Sequence, residues 1–286
     1  METIDPELLR TFLAFADTGS LTRAAAIVGR SPSAITAQMQ RLEAVIGDAL
    51  LEQAGRGRTL TPTGEALVGH ARRIIAAHRE ALLSLKGARA DGRIALGCTQ
   101  DFAESGLPDI LRLFADTHPR LRLDLRIGRS AELASAFERG ELDLALTMRS
   151  GASPDERLVL REPMLWLGAA ECLKRAGGEV PLALLDAPCG FRNAAIAALD
   201  GAGRRYRIAA TSASLSGLAA AVKAGIAVTA RTARMAGDGI ARLDGAFDLP
   251  ALPEAEFALR LRPDAATPAR DLADLLMDML PSFDLG

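Results

Sequence analysis

The chain has 286 residues, 49% of them hydrophobic but only 4% aromatic, and a formal net charge of −2, which fits a globular protein with two or three aliphatic cores. Its start, Met-Glu-Thr-Ile-Asp, has neither a basic nor an apolar run, and no apolar stretch reaches the roughly 18–20 residues of a membrane span, so a cytoplasmic protein without membrane partners is expected. Cys98, Cys172 and Cys189 are spaced for neither a disulfide framework nor a metal site, and no cofactor is implied.

Residues 4–17 read as an amphipathic helix with Leu8, Leu9, Phe12, Phe15 and Ala16 inward. Thr18-Gly19-Ser20 breaks it, and Ser20 caps a short alanine-rich helix over 21–28. Gly29-Arg30 then turns into the stretch 31–46, with Ser31 as N-cap, Pro32 at the first helical position and Gly47 as the stop. Wound at 100° per residue, this helix puts Ile35, Met39, Leu42 and Ile46 on one stripe, with Ser33, Ala37, Gln40 and Ala44 opposite, flanked by Thr36 and Arg41. Helix, short helix, tight turn, helix with a polar outer face is the helix-turn-helix order, whose last helix enters the DNA major groove; plain helical packing is the alternative. Residues 50–62 alternate like a small hairpin with Arg56 and Arg58 among glycines at its tip, which suits phosphate or minor-groove contact as well as a solvated hairpin.

The run L-R-T-F-L-A-F-A-D-T-G-S-L-T-R-A-A, followed by S-A-I-T-A-Q-M-Q-R-L-E and G-R-G-R-T-L-T-P-T-G, resembles the winged helix-turn-helix of LysR-type transcriptional regulators, and the resemblance continues to the C-terminus. P-C-G-F-R at 188–192 and G-L-A-A-A-V-K-A-G-I-A-V-T-A-R at 217–231 are similar more narrowly to HexA/LrhA-type repressors of motility and exoenzyme production. The resemblance implies double-stranded operator or promoter DNA as partner, a homodimer through a linker helix, a homotetramer, and RNA polymerase as a further contact left open. It places Arg30, Ser31, Ser33, Thr36, Ala37, Gln38, Gln40 and Arg41 at the DNA, with Arg56 and Arg58 on the wing. Within that set Ser33, Thr36 and Gln40 are expected at base edges and Arg30, Gln38 and Arg41 at phosphates or neighbouring bases. Where the family often has arginine this chain has Ala37, which removes a charged contact.

Residues 1–90 carry 11 basic and 9 acidic side chains, the remainder 23 and 27. The sign suits an N-terminal DNA module, and its small size calls for several copies acting together. Residues 62–86 read as one long helix with Val68, Ile75 and Leu82 every seven residues and Ala71, Ile74, His78, Ala81 and Leu85 beside them, a pattern that fits a helix pair or a single buried helix. His70 and His78 are expected at the surface or seam, since no third ligand accompanies them.

Past a polar hinge at 87–93, strands and helices alternate: strands at 93–97, 121–127 and 142–147, helices at 106–117 and 130–139. A second round follows, with a crossing at 163–169, strands at 182–185, 205–210 and 226–230, helices at 192–199 and 214–224, a return crossing at 257–261 and a closing helix at 269–280. The expected fold is therefore α/β, with an all-α-dominated winged helix-turn-helix N-terminal domain (1–61), a long linker helix (62–88) and a two-lobed, periplasmic-binding-protein-like effector domain (92–286). Lobe I is placed at about 92–162 and 262–286, lobe II at about 163–261.

In such sheets ligands bind beyond the C-terminal strand ends, where helix N-termini offer N–H groups. At those junctions stand Cys98, Thr99 and Gln100, then Ser130, then Thr147 and Met148, then Thr211 and Ser212, with Phe191 and Arg192 able to reach in from the second lobe. Hydroxyls and amides without many carboxylates point to a small anionic or polar effector, although each hydroxyl alone reads equally well as a cap or strand end. Catalysis is not expected: Cys98 would need a base, and His118, the only histidine after residue 90, precedes Pro119 on the far side of a helix. Redox sensing through Cys172 and Cys189 is an alternative route to regulation. A solute-binding protein would share the lobes but have no use for residues 1–60.

Overall fold

Side-chain caps and left-handed glycines set out the N-terminal helices. In the computed structural model, which describes residues 3–54, 57–86, 92–103, 105–149, 151, 155–243 and 247–282, the Asp5 carboxylate accepts from the Glu7 N–H at the head of α1 (Pro6–Thr18). Ser20 does the same for Arg23 at the head of α2 (Leu21–Val28), and Ser31 for Ala34 at the head of α3 (Pro32–Ile46). Gly19, Gly29 and Gly47 end the three helices in the left-handed region, which only a residue without Cβ adopts at no cost.

Leu8, Leu9, Phe12 and Phe15 of α1 close on Ala24 and Ala25 of α2 and on Ile35, Met39 and Leu42 of α3. The expected stripe is present, with two changes: Ile46 is only partly buried at the edge of this core, and Ala14 and Thr11 are sealed where Ala16 was expected. Strands β1 (Leu51–Ala54) and β2 (Gly57–Leu60) form the antiparallel wing, Leu51 opposite Leu60 and Gln53 opposite Arg58. Arg56 lies outside the described residues.

The long helix α4 (Pro62–Lys86) is opened by Thr61, whose hydroxyl accepts from the Gly64 N–H at 3.0 Å. Ala71 and Ile75 are buried in the N-terminal core, with Leu67 and Val68 beside them. The first half of the sevenfold stripe therefore serves this chain's own core. The side chains of Ala81, Leu82 and Leu85 lie outside the described set, whereas Ile74 is 40% exposed.

The chain groups into two units. One comprises Met1–Arg89, Arg112–Pro119 and Asp274–Asp284; the other is built on Ala90–Leu111 and Arg120–Ala273. From Gly92 the chain runs through β3 (Gly92–Thr99), the four-residue helix α5 (Gln100–Ala103), α6 (Leu107–Thr117), whose second half counts with the first unit, β4 (Leu121–Gly128), α7 (Ser130–Glu138), β5 (Leu144–Met148) and β6 (Glu156–Pro163). The chain then crosses through β7 (Leu165–Gly168), α8 (Ala170–Arg175), β8 (Val180–Leu185), α9 (Gly190–Gly201), β9 (Tyr206–Ser212), α10 (Leu215–Lys223), β10 (Thr229–Arg231) and β11 (Ala241–Arg242). It returns through β12 (Glu254–Leu261) and ends in α11 (Thr267–Met279).

The first sheet has the order β4-β3-β5-β12-β6, with β3, β4 and β5 parallel and β12 antiparallel to both neighbours. Since β12 pairs with β5 from Phe257–Met148 to Leu261–Leu144, residues 254–261 belong with lobe I and not with lobe II, where the sequence reading put them. The edge strand β6 is absent from the sequence reading; its half-exposed pattern carries no clean alternation.

Lobe II has β10-β7-β11 antiparallel and β8-β9 parallel, joined where Leu182 bridges to Val228. Strand β8 is buried on both faces. Leu182 and Leu184 pack with Ala195 and Leu199 of α9, while Ala183 and Leu185 pack with Leu218 and Val222 of α10.

Candidate functional site

Two surfaces carry chemistry. On α3 the exposed residues Ser33, Ala37, Gln40 and Arg41 share the face turned from the core, with Arg30 and Ser31 exposed just before it and Thr36 half-buried at its flank. The Ser31 hydroxyl is occupied as cap and lies 3.0 Å from the Ser33 hydroxyl, and Thr36 donates back to the Pro32 carbonyl. Gln38 is half-buried and partly turned toward α1. Its carbonyl oxygen accepts from the buried Thr11 hydroxyl at 2.7 Å, so this side chain clamps α3 to α1. Arg58 is exposed on β2.

Glu43, which sequence reasoning passed over, fixes the wing to α3: its Oε1 accepts from the Leu50 and Leu51 N–H groups at 2.9 and 3.2 Å. Thr61 donates to the Ala49 carbonyl and Thr63 to Asp48 from the wing's other end. Gly64 is required there, because a Cβ would stand 2.4 Å from the Leu50 carbonyl oxygen.

The second surface is a cavity of about 400 Å³ between the lobes of the second unit. Lobe I supplies Thr99, Gln100, Asp101, Ser130, Thr147 and Met148, from the C-terminal ends of β3 and β5 and the helices that follow β3 and β4. Lobe II supplies Leu185, Pro188, Cys189, Phe191, Asn193 and Arg231. Helices α7 and α9 both begin here without a side-chain cap, leaving their first N–H groups for a ligand or water. Gly190 admits close approach of the lobes, since a Cβ would meet the Met148 thioether at 2.8 Å.

The deepest charges are Arg231 and Asp101, 3% and 9% exposed, joined by one Nη2–Oδ1 hydrogen bond; the Arg231 guanidinium also stacks 4.0 Å from the Phe191 ring centroid. Among the described residues the buried Arg231 Nε and Thr99 Oγ1 have no hydrogen-bond partner. Arg149 lies 3.4 Å from Glu156 and donates to Glu256 at 3.1 Å, while Arg129 pairs with Glu132 and reaches the Ala187 carbonyl at 3.3 Å.

Of the residues expected in the cleft, Thr99, Gln100, Ser130, Thr147, Met148 and Phe191 line it; Cys98, Arg192, Thr211 and Ser212 do not. Cys98 precedes Thr99 on β3 and so faces the opposite side of the sheet, where it is sealed and burial pushes its thiol up. The Arg192 guanidinium donates to the Leu185 carbonyl. Thr211 and Ser212 end the outer strand β9, beyond β8, and Ser212 is taken up by the backbone of Ser214.

Within the lining, Ser130 accepts from the Met148 N–H, and Gln100 accepts from Leu215 at the head of α10, so both are partly engaged. Arg231 and Asp101 were missed. The signal available was an arginine ending the apolar strand run I-A-V-T-A, a costly place for a charge without a partner.

A helix-turn-helix with an exposed third helix, on the same chain as a two-lobed α/β cleft, defines a ligand-responsive DNA-binding protein. Residues 6–65 match the bacterial regulatory helix-turn-helix protein, lysR family, and residues 87–281 match the LysR substrate binding domain. The chain belongs to the LysR family: it is a DNA-binding transcriptional regulator with an effector-binding domain, and its relatives are regulators, not enzymes. It is 36% identical over 282 residues to the HTH-type transcriptional regulator DgdR of Burkholderia cepacia, covering 98% of this chain and 95% of that one. It is 36% identical over 261 residues to the regulator PecT of Dickeya dadantii, covering 91% and 83%. Among solved structures, CrgA, a LysR-type transcriptional regulator from Neisseria meningitidis, shares the fold with a TM-score of 0.70 at 19% identity, over 99% of this chain and 100% of that one. Among the described residues no helix is long and apolar enough to cross a membrane.

Proposed function

We propose that this regulator is a cytoplasmic repressor of the HexA/LrhA type, released from or re-set on its operator by a small polar or anionic effector held between the lobes. The observation that carries the effector reading is the pair of buried, unpartnered donors, Arg231 Nε and Thr99 Oγ1, in the wall of a cavity that also receives two uncapped helix N-termini. Unsatisfied buried donors are costly, and an acceptor from a ligand relieves that cost.

At the DNA, Ser33, Thr36 and Gln40 face base edges while Arg30, Arg41 and Arg58 face phosphates; Ser31 sets the helix start and Ala37 allows close approach. The active form is a homodimer through α4, whose outward Ile74 stands on a face the N-terminal core does not use, and a homotetramer built on it. Redox control through Cys172 is disfavoured by its burial. The Cys172 thiol is pushed up by burial, with Arg175 opposing, and the thiolate is the species that oxidants attack.

The test is a gel shift with DNA from immediately upstream of the gene, at several salt concentrations. A shift that weakens with salt, and that small carboxylates alter, is expected. Binding that no member of a broad panel of small acids alters would overturn the effector reading.

A further inference from the structure

Every guanidinium lining the cavity already has a carboxylate: Arg231 has Asp101, Arg149 has Glu156 and Glu256, and Arg129 has Glu132. The wall therefore has no surplus positive side chain to offer a simple anion. An acid binding the deepest guanidinium, Arg231, would draw it from Asp101 and leave a nearly buried carboxylate short of its cation. A ligand bearing both charges avoids that cost, because its cation replaces what its anion takes.

The Arg231–Asp101 contact is made through one nitrogen and one oxygen, so the pair has further edges to use. Arg231 Nε and Thr99 Oγ1 lie buried without a partner behind this wall, so a carboxylate reaches them as the ion pair opens to admit it. The lining also holds the apolar side chains Met148, Leu185, Pro188 and Phe191, the last with its ring under Arg231. One carbon between carboxylate and ammonium, as in an α-amino acid, suits a guanidinium and a carboxylate that touch each other.

We propose that the cleft binds a free α-amino acid with an apolar side chain, its carboxylate on Arg231 and Thr99, its ammonium on Asp101, and its side chain among Met148, Leu185, Pro188 and Phe191. This rests on the cleft being the effector site, and it narrows a polar or anionic ligand to a zwitterion.

The experiment uses the full-length wild-type chain and needs no variant in its first arm. Thermal shift and calorimetry compare L-leucine, L-methionine and L-valine with 4-methylpentanoate, which lacks the ammonium, and isoamylamine, which lacks the carboxylate. At least one amino acid stabilises the protein and neither truncated analogue does so at equal concentration. Equal binding of 4-methylpentanoate overturns the zwitterion and leaves an anionic effector standing. Isoamylamine alone overturns both. No response to any of the three amino acids also overturns the zwitterion proposal, while the wider acid panel decides the effector site independently.

In the second arm Asp101→Asn weakens the amino acid by about tenfold to a hundredfold, the range for a charged hydrogen bond, and Thr99→Val and Gly190→Ala also weaken it. Thr99→Val keeps the shape of the side chain and so covers the case in which Asp101→Asn does not fold. An amino acid that binds all folded variants as tightly as wild type sits elsewhere, which overturns this proposal and leaves the effector site to the acid panel.

Discussion

At the residue scale, small contacts decide whether the recognition surface holds its shape. Gly64 is the plainest case: Gly64→Ala drives a methyl group into the Leu50 carbonyl oxygen, and backbone cannot yield as a side-chain end would. A loss of about 1–3 kcal/mol in unfolding free energy, measured by denaturant titration, is expected, the usual cost of overpacking, together with weaker DNA binding. Unchanged stability would show that α4 can slide. Glu141 gives a pH dependence. Hydrogen bonds from Arg139 and then Arg126, the latter at 2.7 Å, hold its carboxyl down from the ordinary 4.5 to about 2. A depressed acid contributes stability that is complete above 4.5 and disappears as pH falls toward 2. In melting curves across that window Glu141→Gln should lose less than wild type, and added salt should shrink the difference because the group is exposed. Parallel curves would mean the contacts are not kept in solution.

At the element scale, the lobes are tied by more than strand crossings. Arg234, in the turn Ala233–Met235 after β10, grips both oxygens of Glu162 on β6, donates to Ser105 and lies 4.4 Å from the Phe102 ring centroid. Its side chain is 2% exposed. Arg234→Met should cost about 3–5 kcal/mol, and adding Glu162→Leu should recover much of it, because the penalty belongs to the stranded charge. Additive losses in urea unfolding would refute a coupled pair.

Sequence legibility divides along the same lines. Helices α1 to α4 could be read because caps, proline and 3.6-residue periodicity agree locally. The parallel strands β3, β5 and β8 showed as short apolar runs. What stayed hidden depends on partners distant in sequence. Glu256 and Arg161 meet across the β12–β6 pairing, Asp101 and Arg231 are 130 residues apart, and β12 belongs to lobe I only through its pairing with β5. Cleft residues were found where strand-end geometry applied, at Thr99, Ser130 and Thr147. They were misplaced at Cys98, where strand parity faces the chain inward, and at Thr211 and Ser212, where a neighbouring strand intervenes.

At the scale of the whole molecule, the even charge balance fits the proposed docking, in which a few arginines per copy bind DNA and assembly multiplies them. Arg58→Ala should lower the slope of log affinity against log salt by about one for each phosphate contact removed per binding unit, with little change in sequence preference. A steady slope with altered preference would move Arg58 from backbone to base.

Glu43 has a mechanical consequence for the operator. Because one carboxylate oxygen spans the end of α3 and the first residues of the wing, the two parts proposed to face DNA are tied together like a caliper. On the proposed docking, bases beneath the helix and the strand backbone beneath the wing are gauged at one spacing. A duplex of suitable sequence but altered groove width then loses contacts at one end or the other, so operator shape is selected along with its letters.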